Sequence, residues 1–214
     1  MSTSVNKALD KSKPLPIVVL VSGGGSNLQS IIDRIADNTL NARVCAVISN
    51  KPDAYGIERA KKAEIPTEVI DHSQYDSRES FDAELTRCIE KYQPELIILA
   101  GFMRILTDDF VNHFYGKMIN IHPSLLPKYR GLHTHKRALE AGDSEHGLSI
   151  HYVSAELDGG PVILQKTVPV LANDTEKGLA ERVLIEEHIA YPEVIQWFSE
   201  GRLQLINNKV ILNR

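Results

Sequence analysis

The chain is short of cysteine, of long apolar runs and of clustered positive charge, and each shortage removes a class of protein. Only two cysteines occur in 214 residues, Cys45 in an apolar run and Cys88 in a helical one. They have neither metal-ligand spacing nor the density of a disulfide framework, so both are expected as reduced core residues. No apolar run approaches the roughly 18 residues that cross a bilayer, and residues 1–16 are too polar for a signal peptide, which makes a cytoplasmic location the default. A formal charge of -4 without a basic cluster gives no footing for nucleic acid or a membrane surface, so small-molecule partners are expected. Repeats, low-complexity segments and a second-domain linker are also lacking.

What is present is ordinary globular composition, 43% hydrophobic and 24% charged. This length suits one domain able to bury roughly 70% of its unfolded surface. The division expected is a polar tail over residues 1–16 and a single domain over 17–214.

The apolar pattern alternates between two periods. Residues 17–21 are a β-branched run suited to a strand buried on both faces. Leu28, Ile31, Ile32 and Ile35 follow at helical spacing, so a helix is expected from Asn27, with residues 22–26 as the turn. The alternation continues as strand 44–49, helix 55–63, strand 68–70, helix 78–92, strand 96–100, short helix 107–115 and strand 118–121. This predicts an α/β fold with a mostly parallel twisted sheet and helices on both faces. Past Pro127 a helix over 135–141 precedes two strand-like runs, 148–153 and 162–170. The loop between them is too short for a parallel crossover, so that pair is expected to be antiparallel. Asp174 or Thr175 caps a long helix that Pro192 restarts or kinks, and Asn207-Asn208 reads as the turn of a terminal hairpin.

Chemistry concentrates in residues 118–127, M-I-N-I-H-P-S-L-L-P, and in Asp158 of L-D-G-G-P. Strand alternation puts Asn120 and His122 on one face with Ile121 on the other. Pro123 and Pro127 hold His122 and Leu126 out of helical geometry, so the strand ends in a stiff, extended loop. An amide N–H and a protonated imidazole aimed together suit attack on a carbonyl, where charge builds on oxygen. A carboxylate nearby, such as Asp158, would hold the ring as the imidazolium. Each residue also has a bland reading: His122 ending a strand, Asn120 bonding backbone, Asp158 in an ordinary Asp-Gly turn. Their convergence favours function.

The loop S-G-G-G-S-N after the first strand lets backbone N–H groups approach an anion at a helix start. The third glycine of a dinucleotide fingerprint would fall at Leu28, the second strand ends in Asn50 rather than an acid, and no Walker lysine is present. A phosphate-monoester site with contacts at Gly25, Ser26 and Asn27 survives, beside the alternative of a tight turn needing glycine. His122, His133 and His135 invite a metal, but no carboxylate completes a ligand set, so none is expected. A Ser124-His122-Asp158 hydrolase triad lacks the nucleophile elbow. His151 lies on the polar face of its strand, either orienting the site or facing water.

N-I-H-P-S-L-L-P-K-Y, G-L-H-T-H and L-D-G-G-P-V-I together resemble the folate-dependent formyltransferases, most closely those of purine synthesis, over residues 17–197. The resemblance implies a Rossmann-like formyltransferase fold and transfer of the formyl group of 10-formyltetrahydrofolate, without a metal, to the amine of 5'-phosphoribosylglycinamide. Asn120 and His122 would stabilise the tetrahedral oxyanion, with Asp158 keeping His122 protonated. By the same resemblance the glycine loop holds the substrate phosphate and Glu187 its ribose hydroxyls. Met103, Arg104, Ile105 and Leu106 form one wall of the folate site, Val153 to Asp158 the other with Asn120 beside them, and Arg78 meets the glutamate tail. Arg130, in K-Y-R-G, stands where many relatives carry another residue. Methionyl-tRNA formyltransferase and formyltetrahydrofolate deformylase share the motif region but carry a further C-terminal or an N-terminal regulatory domain, and neither is expected in this chain. A non-enzymatic sugar-phosphate sensor would keep the glycine loop without needing Asn120, His122 and Asp158 to converge. A monomer or weak homodimer is expected.

Overall fold

β1 (Leu15–Val21) shows why this chain makes a two-faced sheet. Its alternate residues Ile17, Val19 and Val21 enter one apolar cluster, while Val18 and Leu20 enter a second on the opposite side. Such a strand is stable only when both faces are covered, and helices supply the cover. The computed structural model describes residues 13–213; residues 1–12 of the expected tail lie outside the described residues.

From β1 the chain continues through α1 (Ser26–Ala36), β2 (Ala42–Ser49), α2 (Tyr55–Lys62), β3 (Thr67–Val69), a 3-10 turn (His72–Gln74), α3 (Arg78–Lys91), β4 (Leu96–Leu99), α4 (Asp108–His113) and β5 (Met118–His122). It ends with α5 (Thr134–Glu140), β6 (Glu145–Tyr152), β7 (Val162–Pro169), α6 (Glu176–Ser199), β8 (Leu203–Ile206) and β9 (Lys209–Leu212). Among the described residues seven strands form one sheet in the order β3-β2-β1-β4-β5-β6-β7, and β8-β9 form a separate hairpin. Pairings from β3 to β5 are parallel, whereas β5-β6 and β6-β7 are antiparallel, as the short loop before Val162 required. Helices α1, α2 and α6 supply one cluster, α3 and α4 the other. Fully burying a side chain such as Ile31 or Leu85 stabilises by about 1.5–3 kcal/mol.

Winding reverses between β1 and β4, which lie side by side although β2 and β3 intervene in sequence. In an open α/β sheet, the crevice beyond the carboxyl ends of strands at such a reversal is where ligands bind. The loops after β1, β4 and β5 meet there. Tyr191 of α6, fully buried, places its hydroxyl 2.9 Å from the Leu99 carbonyl and 3.1 Å from that of Ile119, tying the helix to the ends of β4 and β5.

The expected elements stand, with two main differences. β6 begins at Glu145 rather than at 148, because its ladder with β7 extends to the Glu145–Pro169 pair. α6 runs unbroken through Pro192; the proline removes one N–H from the helical ladder, and burial of the surrounding residues keeps the helix together. Thr175 is the cap, its hydroxyl oxygen accepting from the Gly178 amide at 3.1 Å, while Asp174 binds Arg182 at 2.7 Å. No helix among the described residues is long and apolar enough to cross a membrane.

Candidate active site

Asn120 and His122 project from the same face of β5, and the β6–β7 loop brings Asp158 to them. Asp158 Oδ2 lies 3.5 Å from Nδ1 of His122, both side chains under a tenth exposed at 9% and 8%. The same oxygen accepts from the Gly131 amide at 2.8 Å, so one carboxylate joins the loop after β5 to the loop before β7. Asp158 adopts φ 48°, and Gly160 passes so close to β6 that a Cβ there would stand 1.8 Å from the Tyr152 carbonyl. That contact makes glycine obligatory in the turn carrying the acid. Nε2 of His122 lies 2.9 Å from the Tyr129 carbonyl. A carbonyl only accepts, so Nε2 carries a proton and Nδ1 faces the carboxylate.

His151 is the residue whose part the sequence left open. It is 2% exposed and stands directly across from Asn120 in the β5–β6 ladder. Its Nδ1 donates to the Tyr152 carbonyl at 2.9 Å, leaving Nε2 to accept from the Asn120 amide at 3.2 Å. Burial pushes the His151 imidazole below its ordinary pKa, which keeps it neutral and able to accept. The bond orients the Asn120 carboxamide and leaves its second amide proton for another acceptor. Only the register of two strands 31 residues apart could reveal this pair.

The glycine loop lies beyond β1. Gly25 ends it in a left-handed conformation at the N-cap of α1, φ 67°, and a Cβ there would come within 2.7 Å of the Gly56 backbone. Among the described residues no side chain caps α1, so its first amides are available to an anion. Asn27 is 8% exposed and donates its amide to Glu187 at 2.7 Å, while its own Oδ1 has no partner among the described residues. Burial raises the Glu187 pKa, and the Asn27 bond opposes it. The expected phosphate and ribose contacts therefore adjoin.

Residues 103–106 follow β4. Met103 and Ile105 are 63% and 60% exposed, whereas Leu106 packs on the same apolar cluster as Val153, so the two expected folate walls share a base. Arg104 lays its guanidinium 5.2 Å from the Phe81 ring centroid, with Nε buried and unpartnered among the described residues. The Met103 amide donates to the Ser22 hydroxyl at 2.7 Å, and that hydroxyl donates to Asn50 at 2.5 Å. A single buried serine thus ties the glycine loop to this wall, a link with no signal in the sequence. Arg78 is exposed at the start of α3, and Arg130 pairs with Glu156 across the two loops flanking the site. His135 turns to His146, 3.2 Å away, and His133 is exposed at the start of α5. Ser124 is committed to the Lys128 carbonyl at 2.6 Å.

A model of the formyl transferase family matches residues 15–195. The chain belongs to the formyl transferase family. It is 56% identical over 197 residues to the phosphoribosylglycinamide formyltransferase of Escherichia coli (strain K12), a match covering 92% of this chain and 93% of that protein. The Coxiella burnetii phosphoribosylglycinamide formyltransferase, solved in complex with CHES, superposes with a TM-score of 0.91 at 54% identity over 94% of each chain. Glycinamide ribonucleotide transformylase 1 of Symbiobacterium toebii gives 0.92 at 41% identity over 100% of each. This formyl transferase is an enzyme, with the mostly parallel sheet that the resemblance implied.

Proposed function

We propose that this formyl transferase moves the formyl group of 10-formyltetrahydrofolate to the amine of 5'-phosphoribosylglycinamide, with Asn120, His122 and Asp158 as the catalytic residues. The observation that carries the reading is the meeting of those three side chains at the end of β5, between the glycine loop and residues 103–106. The near full-length likeness to phosphoribosylglycinamide formyltransferases supports the choice of amine. The buried Arg104 Nε, unpartnered among the described residues, and the apolar Met103, Ile105 and Leu106 suit a flat heterocycle with polar edges.

The amine attacks the formyl carbon, a carbon–nitrogen bond forms, and the carbonyl electron pair moves to oxygen. The free Asn120 amide proton and Nδ1–H of His122 stabilise that oxyanion from fixed positions, with water largely displaced. Asp158 keeps the His122 ring charged and relays the proton released by the attacking amine toward the departing folate nitrogen, whose bond to carbon then breaks. Gly25, Ser26 and Asn27 hold the phosphate and Glu187 the ribose, so the amine arrives oriented; Arg78 meets the glutamate tail of the folate.

The test is spectroscopic. The protein is mixed with 10-formyltetrahydrofolate and phosphoribosylglycinamide is added while folate absorbance is followed. A change that begins only with the amine is expected; a change in water alone would instead mean deformylation. His122→Ala should lower turnover by about a hundredfold or more with the fold intact, and wild-type turnover in that variant would remove His122 from the mechanism.

A further inference from the structure

We propose that Asp143 is a positioning residue for formyl transfer: by holding Tyr129, it keeps the Tyr129 carbonyl on Nε2 of His122 and so keeps Nδ1 turned to Asp158 and the cleft. The proposal rests on the reading of His122 as an oxyanion donor. It begins with an asymmetry in how the catalytic loop is supported. Leu125, Pro127, Lys128 and Tyr129 line a half-open cleft of about 400 Å3 together with Asp143 in the turn before β6 and His146 at its start. Over that stretch one side of the loop borders the cleft, so directional polar contacts help to decide where its backbone sits.

Tyr129 also sits in the left-handed region at φ 56°, which a side-chain-bearing residue keeps only when its surroundings enforce it. The enforcing contacts converge on one carboxylate. Tyr129 donates its hydroxyl to Asp143 Oδ2 at 2.7 Å, and Lys128 Nζ lies 3.0 and 3.1 Å from the two oxygens of the same group. Those two bonds hold the Asp143 carboxyl below its ordinary pKa, the tyrosine first and the lysine second, so the anchor is ionised at neutral pH. Arg137 stands 5.1 Å from the Tyr129 ring centroid, and Ser124 donates to the Lys128 carbonyl at 2.6 Å.

The consequence falls on the ring. With its carbonyl 2.9 Å from Nε2, Tyr129 makes Nε2 the donor to the loop and leaves Nδ1 turned to Asp158 and the cleft. Without the anchor the peptide can rotate out of the left-handed region. The carbonyl then leaves Nε2, and the ring loses the contact that sets its tautomer. Asp143 touches neither substrate nor reacting atoms; it acts through Tyr129.

Tyr129→Phe, which keeps ring and backbone and removes only the hydroxyl bond, is compared with Asp143→Asn and Asp143→Glu. Tyr129→Phe should lower kcat by about three- to tenfold, the loss of one hydrogen bond's worth of orientation; Asp143→Asn, whose carboxamide oxygen still accepts from Tyr129 but carries no charge, should lower it by less, and both should leave KM for both substrates within about twofold. The double variant should be no worse than the poorer single one, and Asp143→Glu should recover most of kcat. In 15N-edited spectra the His122 Nε2–H resonance should exchange slowly in the wild type, held by the Tyr129 carbonyl, and faster in Tyr129→Phe. A role confined to stability would move Tm while leaving kcat and the ring resonance alone, and that result would overturn the proposal. If His122→Ala loses turnover while Tyr129→Phe and Asp143→Asn keep it, positioning through Asp143 is wrong and the catalytic reading stands. If His122→Ala keeps turnover, both fall.

Discussion

Replacing Asp158 with asparagine isolates charge from shape. The carboxylate is 3.5 Å from Nδ1 of His122 and nearly buried, so an effective dielectric near 20 applies, and opposite unit charges at that distance attract by about 5 kcal/mol. Part of this only offsets the desolvation of both groups. The catalytic share is nearer the loss of one preorganised oxyanion donor, about 3–4 kcal/mol or a factor of about a hundred to a thousand in turnover. Geometry makes the outcome sharper. The Gly131 amide needs an acceptor at 2.8 Å, and the oxygen that serves it is the one facing His122, so the new side chain keeps an oxygen there and turns its NH2 toward Nε2 of His151, which lies 3.7 Å from the other carboxylate oxygen. Nδ1 of His122 then faces a neutral acceptor in place of a carboxylate, so the shape of the site is kept while the charge opposing the imidazolium is lost. Steady-state kinetics on Asp158→Asn should show kcat lowered about a hundredfold or more, KM for either substrate within about threefold, and Tm nearly unchanged. A kcat within tenfold of wild type would refute the assignment of Asp158 as the group that keeps His122 charged.

Gly25→Ala forces a Cβ to 2.7 Å from the Gly56 backbone at a φ of 67°; KM for the phosphorylated amine should rise about tenfold or more, against a small change for the folate, as initial-rate kinetics would show. Tyr191→Phe removes a fully buried hydroxyl 2.9 Å from the Leu99 carbonyl and should cost about 1 kcal/mol, a fall in Tm of about 2–4 °C by calorimetry. His146 is 1% exposed, and burial, then His135, pushes its pKa from 6.5 to about 4. The unfolded chain binds the proton first, so this stabilisation is complete above about pH 6.5 and declines as pH falls toward 4, by up to about 1.4 kcal/mol per unit. The gap between urea midpoints at pH 7.5 and 5.0 should therefore narrow in His146→Gln; an equal gap would mean that His146 does not titrate on unfolding.

Much of the site was legible because it follows from local rules. Alternation alone put Asn120 and His122 on one face, and a short loop alone made β6 and β7 antiparallel and carried Asp158 back. The turn S-G-G-G-S-N announced a backbone that needs glycine, as the left-handed conformation of Gly25 shows. His151 could be seen as polar but not placed, because its partner is set by register across β5 and β6. The Ser22 link between Asn50 and Met103 was invisible for a similar reason: it joins the ends of three strands that are neighbours only after the sheet is wound.

By itself the sequence determined periodicity, and with it the strands, the helices, the two apolar faces and the residue types able to meet an oxyanion. Tertiary structure decided partnership. The Tyr129 carbonyl on Nε2, the Gly131 amide on Asp158 and the Asn27 amide on Glu187 are bonds between segments up to 160 residues apart. A hydrogen bond needs its partners within a few tenths of an ångström, and only the closed packing of sheet, loops and α6 holds distant segments that near.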